Sequence, residues 1–193
     1  MHYATTTTFV SVKILSPIKF LIMNKLFLIP FVLIGFAVNS FAQSSAEATA
    51  TATVIQAIAI TNVNDMNFGN VAVSGVTAGA VVLDPQDGSR TATGGVTLPA
   101  VQGTVSAASF TVTGEGSSTY AITLPSGNHE ITNSGTGTMN VNNFTSFPSV
   151  VDGGTLTAGE QTLNVGATLD IIAGQEPGVY TNATGFEVTV NYN

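Results

Sequence analysis

The stretch Gly178-Val-Tyr-Thr-Asn-Ala-Thr-Gly-Phe-Glu-Val-Thr-Val-Asn-Tyr-Asn193 decides the predicted fold. From Phe186 onward apolar and polar residues alternate strictly, and the apolar set is Phe186, Val188, Val190 and Tyr192. Successive side chains of a strand point to opposite faces, so this alternation predicts a half-buried β-strand with one polar face. We expect this strand to pair with strands that precede it in the chain.

Residues 23–42 have the form of a secretory signal peptide. Lys25 is followed by 13 mostly apolar residues, 26–38, and then by the small residues Ser40 and Ala42. This apolar run is shorter than the roughly 20 residues that span a bilayer, which disfavours the alternative of an uncleaved anchor. We therefore predict cleavage after Ala42, export to the periplasm, cell surface or medium, and no stable membrane span afterwards. Residues 1–22 are interpreted as an upstream extension.

The predicted mature chain, residues 43–193, is strongly acidic. It contains all 11 acidic residues and a single basic one, Arg90, so its net charge is −10. Such a surface repels phosphate backbones, which excludes nucleic acid as a partner. The chain has no cysteine, which excludes a disulfide framework and a zinc–thiolate site.

The pattern of short apolar runs and turn residues predicts an all-β fold. Threonine and valine favour strands and glycine marks turns, and no window has the spacing of an amphipathic helix. About nine or ten strands with turn signals roughly every 8–12 residues predict an antiparallel Ig-like β-sandwich over residues 54–193. The expected core residues are Phe68, Phe110, Ile122, Val141, Leu163, Leu169, Phe186, Val188 and Val190.

Three local predictions accompany this fold. Residues 108–114 and 119–125 flank a short polar connection, which predicts a hairpin. Gly69 interrupts a predicted strand at residues 66–73 and indicates a bulge or a close approach of two backbones. Residues 45–61 alternate and predict one long strand, whose beginning belongs to an Ala/Thr-rich portion. That portion, residues 43–53 (the leader), is either an edge strand or a loosely ordered tail.

Several stretches also carry a family resemblance. They are Met66-Asn-Phe-Gly-Asn-Val71, Thr91-Ala-Thr-Gly-Gly-Val-Thr-Leu98, Phe110-Thr-Val-Thr-Gly114, Tyr120-Ala-Ile-Thr-Leu-Pro125, Leu163-Asn-Val-Gly-Ala-Thr-Leu169 and Gly178-Val-Tyr180. From about Ala48 to Asn193 the chain resembles the bacterial secreted family known as domain of unknown function 4402, which implies no particular activity. More weakly, it is similar to chaperone–usher pilins and spore-coat-U-like subunits, and that similarity implies a pilin-like surface subunit.

The chain offers little for catalysis or metal binding. His129 is the only histidine after the signal, and the absence of a Gly-x-Ser-x-Gly elbow favours a solvated loop histidine over a triad member. The acidic residues are scattered along turns, which favours solvation over a glycosidase pair. Calcium at residues 62–65 or 84–87 is a less favoured alternative, because the Asp-x-Asp-x-Asp-Gly spacing is missing. We predict no catalytic, cofactor-binding or metal-binding residues and no enzymatic activity.

The leader suggests how the protein functions. A buried alanine methyl, at about 25 cal/mol per Å², does not offset the roughly 1–2 kcal/mol that ordering each residue costs. Backbone hydrogen bonds to an open sheet edge, in the same molecule or in a neighbour, would offset this ordering cost. We therefore expect a secreted structural or surface protein that self-associates by strand exchange. The alternative is an adhesin-like module that binds a glycan or protein through loops 126–137 and 145–154.

Overall fold

The computed structural model describes residues 44–193. The chain divides into two compact units, Met1–Ala52 and Thr53–Asn193. The upstream extension and signal peptide predicted for residues 1–42 lie outside the described residues. The described part of the first unit, residues 44–52, is exposed and contains no assigned strand.

The second unit consists of β-strands joined by turns and loops, and no helix occurs among the described residues. The strands are β1 (Ala59–Asn64), β2 (Ala72–Val73), β3 (Gly79–Leu83), β4 (Arg90–Gly94), β5 (Val96–Thr97), β6 (Ala108–Thr113), β7 (Thr119–Thr123), β8 (His129–Thr132), β9 (Thr138–Phe147), β10 (Gly154–Thr155), β11 (Glu160–Ile171) and β12 (Thr189–Tyr192). Every strand pairing is antiparallel. The prediction of an all-β antiparallel fold is confirmed, and the architecture is consistent with a β-sandwich.

Strand β11 is the centre of the larger sheet, which has seven strands. Its first half pairs with β6 and its second half with β3, while β9 pairs along the opposite edge. The change of partner falls at Gly166, where a Cβ atom would lie 2.1 Å from the carbonyl oxygen of Leu83. The sheet continues through β1 beyond β6, β4 beyond β3 and β8 beyond β9.

The remaining strands form two small sheets, ordered β10-β7-β12 and β2-β5. The predicted hairpin of β6 and β7 is therefore wrong, although both strands exist. Strand β6 is paired on both edges, with β1 and with β11, so it has no edge left for β7. Residues 114–118 instead carry the chain from the larger sheet to the β10-β7-β12 sheet.

Two apolar clusters form the core. The first lies at β6, β7, β12 and the start of β11, and the second at β3, β9 and the end of β11. The six aliphatic residues predicted for the core are all buried: Ile122, Val141, Leu163, Leu169, Val188 and Val190. The three predicted phenylalanines are only half-buried, because they pack against the margins of the clusters: Phe68, Phe110 and Phe186.

Two predicted strands differ from those observed. Strand β1 begins at Ala59, not near residue 45, and ends at Asn64, so it includes the turn-forming residues Asn62 and Asn64. A register shift between Asn62 and Asn64 fits these turn-forming residues into the ladder. Of the predicted strand at residues 66–73, only β2 and an isolated bridge at Asn67 form.

The interpretation of Gly69 as a close approach is confirmed. Its φ of +65° lies in the left-handed region, and a Cβ atom there would meet the Gln102 carbonyl oxygen at 2.4 Å. A glycine is the residue that accepts both constraints without strain. The alternation at the C-terminal stretch is also confirmed, since burial alternates from Phe186 to Tyr192. The paired part of that stretch, β12, begins only at Thr189.

Tyr120 lies in the first cluster and gives the protein a predicted sensitivity to alkaline pH. The ring is fully buried, and its hydroxyl donates to Gln161 Oε1 at 2.8 Å. Burial disfavours the phenolate and raises the pKa of Tyr120 above its ordinary value.

Because the pKa is higher in the folded state, the unfolded chain loses this proton first as the pH rises. The stability that the neutral phenol contributes is complete below about pH 10 and falls above it. We expect urea midpoints of the wild type to fall between about pH 9 and pH 11, and those of Tyr120→Phe to fall less. An identical fall in both proteins would contradict this prediction.

Candidate functional site

A groove of about 960 Å³ lies over the second apolar cluster. Its lining includes apolar side chains from β8, β9 and β11, namely Ile131, Met139, Val141, Leu169 and Ile171. The residues beside this floor come from two irregular segments, 66–73 and 174–182, together with His129 and Phe186. An apolar floor with a few polar groups at the rim is the usual composition of a binding cleft.

Arg90 holds the first of these segments in place. Its Nη1 donates to the carbonyl oxygens of Phe68 and Asn70, the latter at 3.0 Å. The Asn70 backbone N–H also donates to the carbonyl oxygen of Gln102 at 2.6 Å. The single cation of the predicted mature chain is thus occupied in positioning a groove wall.

Tyr180 and Gln175 hold the second segment. Gln175 Nε2 donates to the Thr138 carbonyl oxygen at 3.1 Å and to the Tyr180 hydroxyl at 2.8 Å. That hydroxyl donates in turn to the carbonyl oxygen of Glu176 at 2.6 Å. The Gln175 side chain is buried, and its Oε1 has no hydrogen-bond partner among the described residues. Sequence reasoning missed this network, since a buried glutamine in a loop leaves no pattern along the chain.

The prediction that His129 is a solvated loop residue is wrong. His129 begins β8, is half-buried, and packs edge-on against the Phe186 ring at a centroid distance of 6.2 Å. Its Nε2 lies 2.6 Å from Asn182 Nδ2, within hydrogen-bonding distance. Asn182 Nδ2 also donates to the Thr184 carbonyl oxygen. These contacts give the imidazole a packing role at the groove rim.

The carboxylates of the acidic turns accept hydrogen bonds from their own backbone N–H groups or from neighbouring side-chain amides. Asp84 Oδ1 accepts from the Gln86 N–H at 2.7 Å, and Asp65 Oδ1 accepts from Asn62 Nδ2 at the same distance. The Ser89 N–H, 2.8 Å from Asp87 Oδ1, holds the pKa of the Asp87 carboxyl below its ordinary value. No group of three or more histidine, cysteine or acidic residues suited to a metal ion occurs within residues 44–193.

The two loops of the adhesin alternative are close at one end and far apart at the other, since Asn128 Oδ1 accepts from Asn142 Nδ2 at 3.3 Å, three residues before the second loop begins. The tip of the first, residues 133–137, precedes the start of β9, and the second follows its end. Strand β9 has ten residues, so these two regions are separated by roughly 30 Å at about 3.3 Å per residue. His129 and Ile131 of the first loop region line the groove, and no residue of the second loop does.

Strand β12 forms one end of the β10-β7-β12 sheet. The Asn193 N–H donates to the Thr119 carbonyl oxygen at 3.3 Å, and Tyr192 lies opposite Tyr120. Hydrogen bonding alternates between successive pairs of an antiparallel ladder. The main-chain groups of Val190 and Tyr192 therefore point away from β7, toward the outer edge of the sheet.

The side chain of Tyr192 anchors the segment that precedes β1. The Tyr192 hydroxyl donates to the carbonyl oxygen of Gln56 at 2.9 Å and accepts from the Glu115 backbone N–H at 2.6 Å. The Gln56 N–H donates to Glu115 Oε2 at 3.2 Å. Just before this anchor, Val54 is 96% exposed and Ile55 is 52% exposed. Two β-branched apolar residues thus remain in solvent just before this anchor.

The family model described as Domain of unknown function (DUF4402) matches residues 58–192, which is well over half of the chain. The chain belongs to this family. The match begins at the residue before β1 and ends at the last residue of β12, so it covers all twelve strands of the DUF4402 domain. No curated protein and no solved structure matches the chain significantly. Within residues 44–193, no helix is both long and apolar enough to cross a membrane.

Proposed function

We propose that this protein is a secreted, non-enzymatic structural or surface protein, built as an Ig-like sandwich, that self-associates in the manner of a pilin subunit. The observation that carries the proposal is the state of residues 44–57, which are exposed throughout and contain no assigned strand. Within this stretch Ala alternates with Thr from residue 48 to residue 53, and the exposed pair Val54 and Ile55 follows. A strand-forming sequence without a strand partner among the described residues supports exchange with a second copy.

The composition of the stretch also favours pairing between molecules. β-Branched residues are well suited to strands, and they occupy positions 49, 51, 53, 54 and 55 of the stretch. Glu47 is its only charged residue, whereas the predicted mature chain as a whole is strongly acidic. A nearly neutral segment can approach the acidic surface of a second copy with little electrostatic repulsion.

Removing the leader tests this function. We expect purified protein starting at Gln43 to form concentration-dependent oligomers in light scattering, and protein starting at Val54 to remain monomeric. The second form retains residues 58–192, the whole DUF4402 match, and serves as its own folding control by circular dichroism. If both forms are monomeric at high concentration and melt at the same temperature, the leader is a disordered tail and strand exchange is refuted.

The groove favours a second candidate function, a module that binds a glycan or a protein segment. Its volume of about 960 Å³ falls within the range of small-molecule pockets, and its floor is apolar. Its rim carries Asn67 Nδ2 and Asn182 Oδ1, an amide donor and an amide acceptor that can hydrogen-bond to hydroxyl or peptide groups. A protein that is monomeric with and without its leader would leave this binding function as the better supported one.

A further inference from the structure

Unpaired strand edges are where one chain adds to the sheet of another, and proteins usually protect them. The edge strands of the two main sheets are β1, β4, β8, β10 and β12. Bulges, charged residues, very short length and covering segments are the devices that prevent pairing at an edge. Comparing the five strands for these devices shows where a second copy can dock.

Four of the five edge strands are protected. Strand β1 contains a register shift between Asn62 and Asn64. Strand β4 begins with Arg90, a cation at the edge. Strand β8 is covered where Thr132 exchanges two backbone hydrogen bonds of 2.9 Å with Thr181, and β10 has only two residues.

Strand β12 has no bulge and no charged residue, and it is twice as long as β10. Its sequence, Thr189-Val-Asn-Tyr192, contains no charge and no proline, and its register against β7 is continuous. The main-chain groups of Val190 and Tyr192 point outward from that register. We propose that the outer edge of β12 accepts the leader of a second copy of this chain, an inference that rests on the proposed function.

The direction of the chain explains why the partner is a second copy. Ala59 pairs with Thr113, and Tyr192 pairs with Tyr120, so β1 starts at the end of the fold where β12 stops. To lie along its own β12, the chain before Gln56 would have to reverse direction there. Residues 44–57 contain no glycine, proline, asparagine or aspartate, the residues that commonly form tight turns.

The two faces of the leader match the two faces of β12. On β12, Val190 is buried, whereas Thr189 and Asn191 are exposed. A docked leader places its alanine positions and Val54 beside Val190, and its threonines at 49, 51 and 53 beside Asn191. The apolar face then extends the core, and the threonine face stays in solvent.

Disulfide trapping tests this acceptor, because the chain has no cysteine of its own. Two proteins are expressed from Met23 and mixed under mild oxidation, one with Thr51→Cys and one, carrying a mass tag, with Asn191→Cys. We expect a disulfide-linked heterodimer, which can form only between molecules. The matched control replaces Asn191→Cys by Thr91→Cys, an equally exposed threonine on the protected strand β4, and should give no heterodimer. Thr49→Cys and Thr53→Cys cover the other registers on the same face.

A charged substitution on the β12 edge provides a second test of the acceptor. Asn191→Lys is expected to abolish the oligomers that light scattering detects in the wild type, whereas Asn191→Thr should keep them. If Asn191→Lys forms the same oligomers as the wild type, or if disulfide trapping occurs at position 91 but not at 191, β12 is not the acceptor. Self-association itself would not be contradicted by either result. A monomeric wild type would instead overturn the proposed function itself, and the acceptor with it.

Discussion

Replacing Gly166 by alanine is expected to remove about 3 kcal/mol or more of folding stability, at the upper end of the cost of overpacking. A Cβ atom at this position would lie 2.1 Å from the Leu83 carbonyl oxygen and 2.8 Å from the Pro85 nitrogen. Both neighbours are backbone atoms, so relief requires moving the end of β3 away from β11. Urea unfolding followed by circular dichroism measures the loss, since the chain has no tryptophan for fluorescence.

Gly185 supplies the matched control for this substitution. A Cβ atom there would meet nothing within 4 Å, and its φ lies outside the left-handed region. We expect Gly185→Ala to change the stability by less than about 0.5 kcal/mol, as surface substitutions usually do. Equal urea midpoints for the two variants would show that β3 and β11 are not packed as closely as described.

Replacing Leu163 by alanine is the second change with a large expected effect, a loss of about 2–5 kcal/mol. The Leu163 side chain is 0% exposed and lies in the first apolar cluster beside Val165 and Val112. Its removal sacrifices buried apolar area and leaves a cavity that the surrounding strands fill only partly. Against a typical total of about 5–15 kcal/mol, this loss would shift the urea midpoint strongly.

Thr162 precedes Leu163 on β11 and points to the opposite, exposed face. Thr162→Ala should stay within about 0.5 kcal/mol of the wild type. The pair therefore measures the two faces of one strand at neighbouring positions. A similar loss in both variants would contradict the alternation on which the fold prediction depends.

Strand identity was predictable wherever apolar and polar residues alternated. The stretch around Val190 and the run from Leu163 to Ile171, which forms most of β11, needed only the period-two rule. Gly69 was also identifiable, because an isolated glycine within a strand-like run often marks a close backbone approach. These features depend on a few neighbouring residues, which the chain itself displays.

Strand pairing was not predictable in the same way. The two runs around Phe110 and Tyr120 are separated by a short connection and look like a hairpin, yet they belong to different sheets. Both edges of β6 pair with other strands, β1 and β11, which lie far away in sequence. Strand β7 therefore has no edge of β6 to pair with. The long strand predicted from residue 45 failed for a related reason, since alternation does not reveal whether a partner edge exists.

The groove was beyond sequence reasoning altogether. Its walls depend on Arg90 reaching the carbonyl oxygens of Phe68 and Asn70 and on Gln175 reaching Tyr180. None of these contacts follows from spacing, because each joins a side chain to an irregular segment. The half-buried position of His129 similarly depends on Phe186, which is 57 residues further along the chain.

The position of β11 along the chain has a kinetic consequence. Leu169 pairs with Val81 and Leu163 pairs with Phe110, which are separations of 88 and 53 residues. Contacts between such distant residues slow folding, because a long loop must close before any pairing energy is gained. During synthesis β3 and β6 cannot pair with β11, because β11 is made after both of them. We therefore expect slow folding, in which the larger sheet is completed only after β11 has been synthesised.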